Sequence, residues 1–183
     1  FPYPPLFRSD LVVVSIFLVD AQVGITAPAG WTQHADLHGI VGGDFHAAWY
    51  YRVATAGEPS SWSFVLSAAS NATAAAVAYR GVDGAAPIDA ASNQQFEPGN
   101  FIAPSITTTH PGDMLVAMFV EAQAGGLGWS APSGMLTAVN DGAVGMFDAV
   151  QPSAGPSGDK QATAGIVGVP GIGAVDYVAL TPK

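Results

Sequence analysis

The sequence has no cysteine and few basic residues, and these shortages exclude several classes of function. Without cysteine, the chain forms no disulfide bond and performs no thiolate chemistry. Five lysines and arginines stand against fourteen acidic residues, which gives a formal net charge of −9. Such a charge repels phosphate backbones and anionic membrane surfaces. We therefore expect neither nucleic acid nor a membrane as a partner.

Long hydrophobic runs are also missing. The longest, residues 11–19, is about half of the roughly 20 residues that a membrane-spanning helix needs. What the chain does contain is 49% hydrophobic residues together with 22 glycines and 14 prolines. This composition is typical of short strands joined by turns. A chain of 183 residues is long enough for one sizeable core, so we expect a single domain.

The sequence contains an internal repeat whose two copies are offset by about 103 residues. SDLVVVSIFLVDAQVGITAPAGWTQHAD, from Ser9, aligns with GDMLVAMFVEAQAGGLGWSAPSGMLTAVND, from Gly112. Each copy runs from an acidic residue into an apolar strand, then through a turn and Ala-Pro-x-Gly into a second strand. The pseudo-repeats cover about residues 9–90 and 100–183, and each predicts four strands.

We therefore predict an all-β fold: a single antiparallel β-sandwich of jelly-roll or Greek-key type, built from two pseudo-repeated four-strand halves. The sandwich spans residues 9–183. Residues 1–8 contain three prolines and are predicted to form an extended N-terminal arm. The second half carries an extra predicted strand, residues 101–108, where the first half has this arm. We expect the arm to pair with a sheet edge or to reach a neighbouring subunit.

His34, Asp36 and His38 alternate along a predicted strand and would project from one face of it, with His46 coming from the hairpin partner. Imidazoles and a carboxylate are ligands for zinc or another divalent metal. The alternative is a solvated strand face. The second half keeps no ligand at the matching positions, and the segment lies beside a glycine-rich turn. These observations favour the strand face, so we expect no metal and no cofactor.

Aromatic residues could form a sugar-stacking platform. The candidates for contact with a glycan or a partner are Trp49, Tyr50 and Tyr51, since neighbouring residues of a strand point to alternating faces. At least one of them is expected on the surface if their strand has a solvated face. The alternative, which we favour, is that these aromatics fill the core.

Catalytic patterns are not apparent in the sequence. It has no Gly-x-Ser-x-Gly motif and no phosphate-binding glycine loop followed by lysine. Four acidic residues at strand ends are expected to cap turns rather than to form a glycosidase pair: Asp10, Asp20, Asp113 and Glu121. We therefore expect no catalytic residue and no enzymatic activity.

Five stretches in this order carry a resemblance to a known family: TAPAGWTQ, AWYYRVATAGEPSSWSF, AVAYRGVDGAAPIDA, APSITTTHPGD and GDMLVAMFVEA. With them the chain resembles a β-sandwich module of minor tail proteins of actinobacterial phages, and related repeats of large bacterial surface proteins. The resemblance implies a structural or adhesive role on an exterior surface and transfers no catalytic residue.

Two functions follow from these observations. The first is a non-enzymatic structural protein of a phage virion, a minor tail or capsid-surface decoration component located on the virion surface. It would assemble with copies of itself and with other virion proteins, and adhesion to the host surface is a further role. The alternative is an extracellular bacterial adhesin or carbohydrate-binding module on the cell surface, which would bind a host glycan through exposed aromatics.

Overall fold

The computed structural model describes residues 9–39, 45–96, 99–122, 128–165 and 172–183. All regular elements in these ranges are β-strands, and every strand pair is antiparallel, which confirms the predicted all-β fold. None of the described residues forms a helix long and apolar enough to cross a lipid bilayer. The predicted arm, residues 1–8, lies outside the described ranges.

Within these ranges, nine strands have six or more residues and eight have two. The long strands are β1 (Leu11–Leu18), β3 (Thr32–Gly39), β4 (Phe45–Val53), β6 (Ala72–Tyr79), β7 (Ile88–Phe96), β10 (Asp113–Glu121), β12 (Leu136–Asp141), β13 (Val144–Gln151) and β17 (Gly173–Leu180). The short strands are β2 (Ile25–Thr26), β5 (Val65–Leu66), β8 (Ile102–Ala103), β9 (Thr107–Thr108), β11 (Trp129–Ser130), β14 (Gly155–Pro156), β15 (Lys160–Gln161) and β16 (Thr163–Ala164). The extra strand expected at residues 101–108 is thus two short strands, β8 and β9.

The long strands form two sheets whose strand orders repeat. The first sheet has the order β3-β4-β1-β6, and the second has the order β12-β13-β10-β17-β7. The first order matches the first four strands of the second when β1, β3, β4 and β6 are replaced by β10, β12, β13 and β17, respectively. The short pairs β2–β5 and β11–β16 correspond in the same way. The strand order therefore repeats as the sequence does, and each half builds its own sheet, with β7 added to the second.

The two sheets face each other across a shared core. Alternate side chains of β1, such as Leu11 and Phe17, pack in one buried cluster with Val116 and Met118 of β10. The side chains between them, including Val14, point to the opposite face and are buried too. A strand buried on both faces needs an almost continuous apolar sequence, which explains the LVVVSIFL run of β1.

A further layer covers the outer face of each sheet. On the first sheet, Trp31, Trp62 and Phe64 pack with β2 and β5 over the outward side chains of β1 and β4. On the second sheet, Phe101 and Trp129 pack over the outward side chains of β10, β13 and β17. The molecule is therefore a sandwich of two antiparallel sheets between two thin covering layers.

Candidate functional site

A β-bulge separates His34 from the other residues of the predicted metal set. The pairing of β3 with β4 shifts register between Gln33 and Ala35. An extra residue in a strand turns the side chains that precede it to the other face. His34 accordingly points into the sandwich, where its Nε2 lies 3.4 Å from Oδ1 of Asp176 on β17. The predicted trio of His34, Asp36 and His38 does not form one face.

The structure instead brings together Asp36, His38 and His46, which we call the β3–β4 triad. His38 and His46 are direct partners across the two strands, and their rings stack with centroids 3.9 Å apart. Oδ1 of Asp36 lies 2.5 Å from Nε2 of His46 and 3.4 Å from Nε2 of His38. One ligand atom of each residue lies within 4.8 Å of those of the other two. The triad contains three of the four residues that the sequence offered as metal ligands.

Backbone carbonyl groups fix the tautomer of both histidines. Nδ1 of His38 lies 2.7 Å from the carbonyl oxygen of Ala21, and Nδ1 of His46 lies 2.7 Å from that of Val23. A carbonyl oxygen only accepts hydrogen bonds, so each Nδ1 must carry the proton and donate it. In the neutral ring, Nε2 then holds a free lone pair. Nε2 of His46 lies at hydrogen-bond distance from the Asp36 carboxylate, and Nε2 of His38 lies farther from it, at ion-pair distance.

The triad lies at the margin of the covering layer and is open on one side. The His46 side chain is 3% exposed, whereas those of His38 and Asp36 are 41% and 43% exposed. A buried ring therefore anchors the site while a ring and a carboxylate remain accessible to solvent. An ion bound here would have three protein ligands and one position facing water.

His34 and Asp176 form a separate polar pair inside the sandwich core. Burial raises the pKa of Asp176, and the nearby His34 opposes that rise. Burial alone would lower the pKa of His34, but the Asp176 carboxylate outweighs it and the pKa is raised overall. Asp176 is fully buried, and the cavity beside the pair is lined by core side chains such as Val13 and Met118. The pair is part of the core packing rather than of an accessible site.

A second polar cluster, absent from the expectations above, joins Asp89 of β7, His110 and Asp113 of β10. Asp89 accepts hydrogen bonds from the backbone N–H and the hydroxyl of Thr109, and its Oδ1 lies 3.1 Å from Nδ1 of His110. Burial raises the pKa of Asp113 to about 6, and the neighbouring Asp89 carboxyl adds to the effect. At neutral pH this cluster therefore places two carboxylates together beside an exposed imidazole.

The repeat explains why Asp113 is unusual. The matching acid in the first half, Asp10, has its carboxylate 3.1 Å from the guanidinium of Arg80. Arg80 follows the last residue of β6, and Thr181 follows the last residue of the matching strand β17. The second half therefore has no cation at this position. Asp20 is a turn cap, since its Oδ1 accepts a hydrogen bond from the backbone N–H of Gln22.

The proposed aromatic contact surface is not exposed. Trp49 is fully buried in the core between the sheets, and Tyr50 is 3% exposed beneath the covering layer, in ring contact with Phe64. Tyr51 is half-buried against the same core as Trp49. The condition for exposure, a solvated face of this strand, is not met, because β2, β5 and the loop aromatics cover the outer face of β4. Trp49 and Tyr50 fill the core, as the favoured interpretation of the sequence has it.

Residues distant in sequence form the parts of these clusters that the sequence did not indicate. Asp89 and His110 are 21 residues apart, and Asp10 and Arg80 are 70 apart, so no local pattern links them. The repeat offered one signal. Both halves have an aspartate just before or at the start of the first strand, but only the first half has an arginine at the position of Arg80, which implies that the two aspartates have different partners.

Comparison with known proteins identifies no relative: no family model, curated protein or solved structure matches the chain.

Proposed function

We propose that the chain is a non-enzymatic structural module on the surface of a phage virion, a minor tail or capsid-surface component. It acts through contacts with copies of itself and with other virion proteins. The proposal rests on the resemblance of its ordered motifs to phage tail modules. Of the structural observations, the doubly covered sandwich carries it furthest.

The central strands of both sheets support a role as a rigid building unit. All residues of β1 and β17 are buried, as are nearly all of β10. Side chains packed on both faces of a sheet resist deformation, because protein interiors are as dense as organic crystals. Such a unit keeps its shape when it is packed against neighbours, as a particle exposed to mechanical and chemical stress requires.

The edge of the second sheet offers a surface for such neighbours. Most of β12 is exposed, and it ends the sheet. Leu136 on this strand is 75% exposed, and Val150 on the adjacent β13 is 58% exposed. Exposed edge strands and exposed large apolar side chains are features through which proteins add partners. We place the contact between subunits at this edge.

The first test asks whether the chain belongs to a particle. Mass spectrometry of purified virions should detect it, and antibodies against it should label intact particles from outside. Cross-links in intact particles should connect the β12 edge to a copy of the chain or to another virion protein. Purified particles that lack the chain would overturn the proposal.

A matched set of variants tests the position of the contact. Leu136→Asp places a charge on the β12 edge, whereas Val65→Asp places one on β5, where the side chain is 60% exposed on the opposite covering layer. Incorporation into particles should fall at least tenfold for the first variant and remain unchanged for the second. Equal incorporation of both would place the contact elsewhere.

The burial of its candidate contacts weakens the glycan-binding alternative. Of the three aromatics named for its binding surface, Trp49 and Tyr50 are buried and Tyr51 is half-buried. Sugar stacking needs an exposed aromatic face, which the core position of Trp49 denies. No observation in the described residues favours this alternative over assembly.

A further inference from the structure

We propose that the β3–β4 triad binds one divalent transition-metal ion, with zinc as the preferred occupant. The ligands are Nε2 of His38, Nε2 of His46 and a carboxylate oxygen of Asp36. This inference does not depend on the virion proposal, because it concerns the purified chain alone. It also revises the interpretation of the sequence, in which these residues form only a strand face.

The first argument is the crowding of three ligand atoms. With Nδ1–H donated to the carbonyls of Ala21 and Val23, both Nε2 atoms are free to act as ligands, and they lie with a carboxylate oxygen of Asp36 within 4.8 Å of one another. Three electron-rich groups this close together repel one another unless positive charge lies between them. A proton on one ring relieves one of these contacts, whereas a metal ion relieves all three. Histidine ligands of metals commonly donate their other N–H to a carbonyl oxygen in this way.

Distances give the second argument. Zinc binds nitrogen and oxygen at about 2.0–2.2 Å, which places two ligands of a tetrahedral site about 3.4 Å apart. The distance from Asp36 Oδ1 to His38 Nε2 is already 3.4 Å. The distance to His46 Nε2 is 2.5 Å and must lengthen by about 1 Å, which a small rotation of the half-exposed Asp36 side chain allows. The His38 and His46 rings stack, so the exposed His38 ring must also turn for both Nε2 atoms to bind one ion.

The chemistry of the ligands selects the class of metal. Two imidazoles and one carboxylate suit zinc and neighbouring first-row ions, whereas calcium and magnesium prefer oxygen ligands alone. The two accessible side chains leave the fourth position open to water. Bound metal would also fasten the segment from Ala21 to Val23 to the β3–β4 pair, since the same rings contact both.

The second half of the molecule shows what a purely structural arrangement looks like. Asn140 of β12 pairs with Gly145 of β13 and matches Asp36 of β3, which pairs with Ala48 of β4. The Asn140 side chain accepts a hydrogen bond from the Trp129 N–H and donates one to its carbonyl, both at 2.8 Å. One amide thus fastens β12 to its covering segment. In the first half, two imidazoles and a carboxylate lie where the strands meet the covering segment. Attaching that segment needs only one such side chain.

Metal binding to the purified, tag-free chain tests the proposal. After treatment with a chelator, titration with Zn²⁺ should show one ion bound per chain. Titration with Co²⁺ should give the visible absorption bands of a tetrahedral site. His38→Gln and Asp36→Asn should each weaken zinc binding by about 100-fold or more, while circular dichroism shows that both variants remain folded. Both substitutions replace accessible side chains, so the buried His46 can stay in place.

His110→Gln is the matched control, because His110 belongs to the second cluster and is also half-exposed. This variant should bind zinc as the unchanged chain does. Zinc should raise the melting temperature of the unchanged chain and of the control, but not that of Asp36→Asn. The proposal is overturned if no ion binds stoichiometrically, if the triad variants bind normally, or if only His110→Gln loses binding. None of these results would bear on assembly into a virion.

Discussion

The buried Asp113 carboxyl group should make the protein less stable as the pH rises, and Asp113→Asn should remove that dependence. Burial, reinforced by Asp89, raises the pKa of Asp113 from 3.8 to about 6. The folded chain therefore holds this proton more tightly than the unfolded chain does. Its contribution to stability is complete below the unfolded pKa and is lost as the pH rises through the folded pKa. The difference between the folded and unfolded pKa of this fully buried carboxyl group corresponds to about 3 kcal/mol of unfolding free energy.

Urea unfolding at pH 4 and pH 7.5 measures this effect. Asparagine keeps the shape and can donate the hydrogen bond to Asp89, but it carries no charge at either pH. Relative to the unchanged chain, Asp113→Asn should gain up to about 3 kcal/mol of unfolding free energy between the two pH values.

The repeat supplies a control of opposite sign. Asp10→Asn removes the acid that faces Arg80, so this variant should be less stable than the unchanged chain at pH 7.5. If Asp113→Asn changes the unfolding free energy by the same amount at pH 4 and pH 7.5, the raised pKa of Asp113 is refuted. A direct NMR titration of the Asp113 carboxyl carbon would decide between the two outcomes.

Two further predictions concern the first sheet. Trp49→Ala should lower the unfolding free energy by about 3–5 kcal/mol in urea, because it empties a fully buried position; a loss below 1 kcal/mol would contradict the core placement. Burial alone would raise the pKa of Glu58, but hydrogen bonds from Arg52 and Thr55 lower it overall. The stability that the Glu58 carboxylate contributes is therefore present above its unfolded pKa and is lost as the pH falls through its folded pKa. Glu58→Gln should cost about 1–2 kcal/mol at pH 7 and much less at pH 3, and an equal cost at both would refute this.

The fold class and the strand positions could be predicted because they depend on local composition. The run of β1 is too short and too rich in β-branched residues for a helix and is bounded by turn residues. The same pattern recurs in β10, and the repeat then indicated the remaining strands. Local signals of this kind do not depend on where the other parts of the chain lie.

The positions of side chains could be predicted only in part. Period-two alternation put His34 on the face of Asp36, but it cannot register an extra residue such as the bulge between Gln33 and Ala35. The covering layers depend on loop residues such as Trp31, which lie outside the strands that they bury. The pattern of β4 alone favoured core filling by its aromatic residues, but it could not show which loop residues cover Tyr50. His46 was expected on the hairpin partner of the strand that carries His38, and it lies there because neighbouring strands of the chain pair; its place directly opposite His38 was not predicted.

The shared core has a consequence for the origin and folding of the chain. Each half contributes one sheet to that core. A polypeptide with a single half would therefore expose the inner, apolar face of its sheet to water. Two such polypeptides could bury those faces against each other as a symmetric homodimer. Fusing them into one chain makes this association independent of concentration and allows the two copies to differ in sequence. The pair of Asp10 with Arg80 in one half and the pair of Asp113 with Asp89 in the other are such a difference. The present molecule corresponds to a dimer whose two subunits are joined in one chain.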